Sequence, residues 1–191
     1  MIRAEDRTMR KLATLTGVML LATAEALAAE NQSRPARKVV VSLADRKLAV
    51  MEAGRVVKIF STAVGAPSSP SPTGSYEIIN RLAEPTWYGH GKVVPPGKSN
   101  PIGTRWMGLS AKGYGIHGTN APASIGHNAS HGCIRLRNGD VEELFEMVAV
   151  GDAVELYDGH TPELDRIFGA AVSRTPAIVA QVQTASAAVN R

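Results

Sequence analysis

His117-Gly118-Thr119-Asn120-Ala121-Pro122-Ala123-Ser124-Ile125-Gly126-His127-Asn128-Ala129-Ser130-His131-Gly132-Cys133-Ile134-Arg135-Leu136 holds the single cysteine of a 191-residue chain and three of its five histidines. Thiolate is the nucleophilic form of cysteine, and a free thiol is mostly protonated near neutral pH. A neighbouring imidazole that accepts the proton removes that obstacle. Two histidines qualify. His131 stands two positions before Cys133, and on an extended segment positions i and i+2 share a face. His117 ends the strand-like run Tyr114-Gly115-Ile116, and a hairpin can bring it opposite the thiol. Spacing does not choose between them. A third group often orients such a base, and the Gly118 carbonyl, Thr119 and Asn120 all follow His117. Gly132 permits an unusual backbone beside the thiol, so the N–H groups of Gly132 and Cys133 are candidate donors to an oxyanion. Arg135 and Arg137 carry guanidinium forks suited to carboxylates. Arg137 reads better as a surface charge facing the acidic residues at 142–146. A zinc set of His117, His127, His131 and Cys133 would need His127 and His131 on a helix. Gly126, Asn128 and Gly132 disfavour that helix, so no metal is expected.

Working outward, Asp140 is expected to cap a helix with Glu143 completing the capping box. Val141, Leu144, Phe145 and Val148 recur at helical spacing on one face, Gly151 ends the helix, and Ala153–Tyr157 reads as a final strand. Upstream, Lys38–Leu43, Lys47–Met51 and Arg55–Val64 are short strands separated by Ala44-Asp45-Arg46 and Glu52-Ala53-Gly54 turns. Gly65–Gly74 contains three prolines and is expected as a surface loop, with a strand resuming over Ser75–Asn80. Residues 85–109 are dense in Gly, Pro and aromatic residues and hold both tryptophans, Trp87 and Trp106. Long loops in compact domains are usually functional. Hydrophobic residues at 44%, with 18 Gly and 11 Pro, favour a turn-rich β domain over a helical bundle. The net charge of +4 comes without a Lys/Arg run or aromatic-basic interleaving, so no nucleic-acid partner is expected.

The N-terminus reads as an export signal. Met9-Arg10-Lys11 is basic, Leu12–Ala24 is apolar, and Ala26-Leu27-Ala28 has the small-x-small pattern of a cleavage site. Residues 1–28 are therefore expected to be removed, with Ala29 as a neighbouring cleavage point and Met9 a better start than Met1. Residues 29–37 form a polar leader. No membrane span is expected after cleavage. A lone cysteine in an oxidising compartment has no internal partner, which favours a used thiol. Residues 159–191 are expected as a flexible or weakly helical tail, in which Leu164, Ile167 and Phe168 suit an amphipathic turn or two.

Ser130-His131-Gly132-Cys133-Ile134-Arg135, preceded by Ile116-His117-Gly118-Thr119-Asn120, closely resembles the signature of the L,D-transpeptidase (YkuD) catalytic domain. Pro72-Thr73-Gly74, Pro85-Thr86-Trp87-Tyr88, Val94-Pro95-Pro96-Gly97, Asn100-Pro101-Ile102-Gly103-Thr104-Arg105-Trp106 and Asn138-Gly139-Asp140-Val141 extend the likeness to the periplasmic ErfK/YbiS-like branch, over about residues 38–158. The resemblance implies a mostly β fold, a sandwich or barrel with one short helix after the catalytic loop. It implies no cofactor. It makes Cys133 the nucleophile and His117 the base, oriented by the Gly118 carbonyl, with His131 lining the site and supporting the oxyanion region. Arg135, Trp106, Trp87, Tyr88, Asn120 and Ser130 are the expected substrate contacts. Many relatives carry Asn where this chain has Arg135. The implied reaction is attack on a peptidoglycan tetrapeptide stem at the L-centre of its diamino acid, loss of D-Ala, and transfer of the acyl group to an amine. That amine belongs to another stem, giving a 3→3 cross-link, or to a lipoprotein lysine. The alternatives are an L,D-carboxypeptidase or cysteine hydrolase using water, and a non-catalytic cell-wall binding module. The expected location is the periplasm.

Overall fold

A computed structural model of the chain describes residues 35–89 and 91–169. The signal segment 1–28, most of the leader, His90 and the chain from 170 onward lie outside the described residues.

The strands are β1 (Arg37–Ser42), β2 (Lys47–Glu52), β3 (Arg55–Ser61), β4 (Val64–Gly65), β5 (Gly74–Ala83), β6 (Trp87–Gly89), β7 (Lys92–Val94), β8 (Arg105–Leu109), β9 (Gly115–His117), β10 (Asn128–Ser130), β11 (Ile134–Arg135) and β12 (Ala153–Tyr157). Eight of them form one sheet in the order β11-β9-β8-β5-β12-β1-β2-β3, while β10 pairs with β4 and β6 with β7. The expected mostly β class is what is found. The sheet turns its corner at β5. Its first half, Gly74–Glu77, pairs with β12, and its second half, Ile78–Ala83, pairs with β8, with the register broken between Ile78 and Asn80. Such an irregularity bends a strand and raises its twist, so one ten-residue strand serves two differently aimed halves of the sheet.

The meander follows from its turns. Ala53 and Gly54, at φ 48° and 75°, join the paired residues Glu52 and Arg55. Two left-handed central residues match the twist of a hairpin. In β1, Val39, Val40 and Val41 are all fully buried. A strand with both sides apolar needs cover on both faces, and it has it. Val39 and Val41 join Leu48, Val50, Ile78, Met107, Ile116 and Ile134 in the main core under α1 (Asn138–Met147). Val40 and Ala49 face Leu164, Ile167 and Phe168, carried by α2 (Pro162–Leu164) and the π-helical turn Asp165–Gly169 that continues it. The described residues beyond 158 therefore pack on the outer face of the sheet; residues 162–169 cover it rather than trailing away. Thr161 starts this segment, its Oγ1 accepting the Leu164 N–H.

α1 buries Val141 and Leu144, with Val148 at its end, as the spacing predicts. Its cap differs from the expectation. The helix begins at Asn138, the capping position is Arg137 with no side-chain bond, and Asp140 lies inside the first turn. No Asp140–Glu143 capping box forms. Asp140 instead faces Arg137 at 3.6 Å, and a carboxylate there still favours the positive end of the helix dipole. The long segment 85–104 also departs from the expected plain loop. It contains the β6–β7 hairpin, in register Trp87↔Val94 and Tyr88↔Val93.

Candidate active site

The end of β9 supplies His117. β8 runs antiparallel beside it, pairing Trp106 with His117, and β11 runs parallel on the other side, pairing Ile134 with Ile116 and Arg135 with His117. Cys133 is the residue before β11, so it falls beside Gly115. Alternate positions on a strand share a face, which puts Cys133 and Arg135 on the side that carries His117. The sheet thus gathers residues from three strands onto one patch.

His117 is buried, 4% exposed. Its Nδ1 lies 2.6 Å from the Gly118 carbonyl. A carbonyl only accepts, so Nδ1 carries the proton and Nε2 is left as the acceptor. The Trp106 ring stacks on the imidazole, centroids 5.7 Å apart and planes 24° apart. The Trp106 Nε1–H donates to Asn80 Oδ1 at 3.1 Å. Burial pulls the imidazole from 6.5 down to about 4; the Gly118 carbonyl opposes this, and the Arg135 guanidinium adds to it. Burial likewise pushes the Cys133 thiol above its ordinary value, against smaller downward pulls from the Gly115 backbone and Arg135. The resting site therefore holds a neutral thiol, whose Sγ–H is directed to the Gly113 carbonyl at 3.8 Å, and a neutral imidazole on the same cavity.

The cysteine turn is held by its own atoms. Ser130 Oγ–H donates to the Cys133 carbonyl at 2.6 Å, and the same oxygen accepts the Gly132 N–H at 3.0 Å. Gly132 sits at φ +104°, and a Cβ there would lie 2.5 Å from the Tyr114 ring and 3.1 Å from the Pro70 carbonyl. No other residue fits. The Gly132 N–H is committed to Ser130, which corrects the expectation that it faces an oxyanion. The strand after the thiol is clamped on its other side, where the Arg135 N–H donates to the Ala63 carbonyl and the Ala63 N–H to the Arg135 carbonyl, both at 2.9 Å.

A cavity of about 560 Å³ opens over this patch. Cys133, His117, His131, Ser130 and Arg135 line one wall with Trp106, and Trp87 and Tyr88 of the β6–β7 hairpin line another. His131 is exposed at the cavity and Tyr88 is 74% exposed. Gly118 and Gly132 act beneath the lining. Asn120 does not reach it; its Nδ2 donates to the Ser99 carbonyl at 3.0 Å. Of the remaining histidines, His127 is exposed away from the lining and His160 faces Asp165 at 3.9 Å. Among the described residues no three His, Cys, Asp or Glu side chains gather as a metal site.

Two asparagines that the sequence pattern does not single out as site residues brace the site. Asn138 Oδ1 accepts the Thr119 N–H at 3.0 Å, and a Cβ on Gly118 or Gly103 would lie 2.3 or 2.1 Å from that oxygen. It locks the loop after His117 to α1. Asn100 is fully buried; its Nδ2 donates to the Pro85 carbonyl at 2.7 Å and its Oδ1 accepts the Ile102 N–H at 3.0 Å. A signal existed for the second: prolines at 85, 95, 96 and 101 remove backbone donors, so a side-chain amide among them has carbonyls to satisfy.

A family model described as the L,D-transpeptidase catalytic domain (YkuD) matches residues 36–156. The YkuD protein of Bacillus licheniformis is 40% identical over 119 residues, covering 62% of this chain and 64% of that protein. YbiS of Escherichia coli is 33% identical over 136 residues, covering 63% of this chain and 44% of that one. The chain thus spans a little under two thirds of the length of the Bacillus relative. Among solved structures, an L,D-transpeptidase of Mycobacterium tuberculosis H37Rv superposes with a TM-score of 0.56 at 23% identity, over 65% of this chain and 58% of that one. An Enterococcus faecium L,D-transpeptidase superposes at 0.55 with 25% identity, over 64% and 50%. The bent sheet, the helix packed into it and the matched residues 36–156 agree, and the chain belongs to the YkuD family of L,D-transpeptidase catalytic domains.

Proposed function

We propose that the protein is an exported peptidoglycan L,D-transpeptidase working through a Cys133 thioester. The observation that carries this reading is the Nδ1–Gly118 hydrogen bond of 2.6 Å. It leaves Nε2 of a buried imidazole as the acceptor on the cavity that also holds the thiol. Cys133 Sγ attacks the carbonyl at the L-centre of the diamino acid, meso-diaminopimelate, of a tetrapeptide stem. Its proton passes to His117 as the C–S bond forms, since neither group is charged at rest. The Cys133 N–H, with His131 at the rim, faces the developing oxyanion. His117 returns the proton to the departing amine of D-Ala, and the thioester remains. An amine of a second stem, or of a lipoprotein lysine, then takes the acyl group and frees the thiol. Trp87, Tyr88, Trp106 and Ser130 line the path of the peptide.

The apolar run before Ala26-Leu27-Ala28 supports cleavage of residues 1–28 and work in the periplasm, with the catalytic domain over residues 38–158. No helix among the described residues is long and apolar enough to cross a membrane. N-terminal sequencing of protein recovered from the periplasm is expected to begin at Ala29 or Glu30.

The reaction is tested by incubating the protein with disaccharide-tetrapeptide and reading products by mass spectrometry beside Cys133→Ala. Loss of D-Ala, a Cys133-dependent adduct and cross-linked dimer are expected. Tripeptide alone would make the enzyme a carboxypeptidase. Neither adduct nor D-Ala release would sink the reading.

A further inference from the structure

Among the described residues, the cavity lining carries one permanent charge, Arg135. The other residues of that wall are neutral or aromatic, and the hairpin wall is built from Trp87, Tyr88 and proline. Three other arginines have carboxylate partners: Arg37 with Glu52 at 2.6 Å, Arg105 with Glu84 at 3.2 Å, Arg137 with Asp140 at 3.6 Å. Arg135 has none. Its guanidinium makes a single hydrogen bond to protein, Nη1 to the Ala129 carbonyl at 3.2 Å, and Nε is buried without a protein partner. A half-desolvated guanidinium costs free energy unless an anion meets it. Its backbone is pinned between His117 and Ala63, so the fork is presented rather than swung in. It stands two positions beyond the thiol on the same face, about 7 Å along the strand, the reach of one or two residues of a peptide whose carbonyl lies at Cys133.

We propose that Arg135 determines donor specificity by binding a carboxylate of the donor peptide adjacent to the bond that is cut. This rests on the reading of the site given above. Two carboxylates of a tetrapeptide stem qualify chemically, that of the terminal D-Ala and that on the far centre of the diaminopimelate. A planar fork takes either in two-point fashion.

The test uses Cys133→Ala protein, in which nothing turns over, and three peptides: the tetrapeptide, its C-terminal amide, and the form amidated on the diaminopimelate side chain. Binding is read by calorimetry or by the fluorescence of Trp87 and Trp106. The free tetrapeptide is expected to bind roughly 10- to 100-fold more tightly than one of the two amides, the span of a charge-assisted hydrogen bond. Arg135→Gln should erase that difference by weakening only the free acid, and Arg135→Lys should restore part of it. The amide that levels the two proteins names the carboxylate. Equal binding of all three peptides to the Arg135 protein overturns the proposal, whatever the stability of the variants. An equal loss on all three in Arg135→Gln overturns it too, since that marks a structural role. Acylation of the intact Cys133 protein is followed separately. Carboxylate selectivity without an acyl-enzyme would retire the transpeptidase reading and keep Arg135, and acylation indifferent to both amides would do the reverse.

Discussion

The two walls of the cavity are built by different physics. The wall bearing Cys133, His117 and Arg135 is sheet: three adjacent strands in fixed register, closed by the Ala63 bridge and the Ser130 turn. The wall bearing Trp87 and Tyr88 is a short hairpin between proline-rich links, tied together by the side chain of Asn100. Ladder hydrogen bonds position chemical groups with many redundant contacts. A loop wall hangs on few, and leaves large apolar surface open, with Tyr88 at 74% and Val93 at 64% exposure. The groups of the proposed chemistry, with Arg135 beside them, thus sit on the ladder-built wall, and the hairpin wall adds aromatic surface to the cavity.

The largest effect expected from this division is at His117. His117→Gln should slow Cys133 acylation by roughly 10²–10⁴-fold, the contribution usual for a positioned base. The peptide should still bind, because the hairpin wall is untouched. A variant whose affinity falls as steeply as its rate would erase the distinction between the walls. The same residue sets a pH dependence of folding. An unfolded His117 takes its proton near 6.5 and the folded one only near 4. Between those values the unfolded chain binds more protons, so stability is full above 6.5 and is lost as pH falls toward 4, by about 3 kcal/mol in total. Chemical denaturation at pH 7 and pH 4.5 should show this loss, and His117→Gln should lose that part of it.

What was legible in the sequence follows the same line. The strands β1, β2 and β12, the helix face Val141-Leu144-Val148 and the patch around Cys133 were readable because each is encoded locally, by periodicity or by residues that chemistry places together. Four things were not. The start of α1 at Asn138 depends on a bond to Thr119 from across the chain. The β6–β7 hairpin sits among prolines and glycines that read as loop. The covering role of Leu164, Ile167 and Phe168 depends on a sheet face that only the assembled strands create. The commitment of the Gly132 N–H to Ser130 was likewise hidden, because it depends on how a four-residue turn closes.

The loop wall gives the next effect in size. Asn100→Ala leaves the Pro85 carbonyl and the Ile102 N–H without their partner, a loss of about 1–3 kcal/mol for buried polar groups. Tetrapeptide KM is expected to rise several-fold or more while alkylation of Cys133 by iodoacetamide keeps its rate. Alkylation that changes in parallel with KM would mean that the two walls move as one. Asn138→Ala is the matching cut on the chemical side. It frees the loop after His117 from α1 and should lower kcat with KM little changed, and Asn138→Asp, which keeps the acceptor oxygen, should recover much of the activity.

The smallest effect tests the redundancy itself. Asn80 accepts the Trp106 Nε1–H at 3.1 Å from an exposed position, so the bond competes with water and is worth about 1 kcal/mol or less. Trp106 has other restraints. Its backbone pairs with His117 and with Leu82, and its ring fills the space over Gly115, where a Cβ would lie 2.6 Å from the indole. Asn80→Ala should therefore slow acylation by no more than a few-fold and leave the pH profile of His117 in place. Gly115→Ala attacks the same indole from the packed side and cannot be relieved by solvent, so it should cost far more, in rate and in melting temperature. If the two substitutions proved equally damaging, the indole would be held by its one polar bond. The rigid wall would then be as dependent on a single side chain as the loop wall is on Asn100.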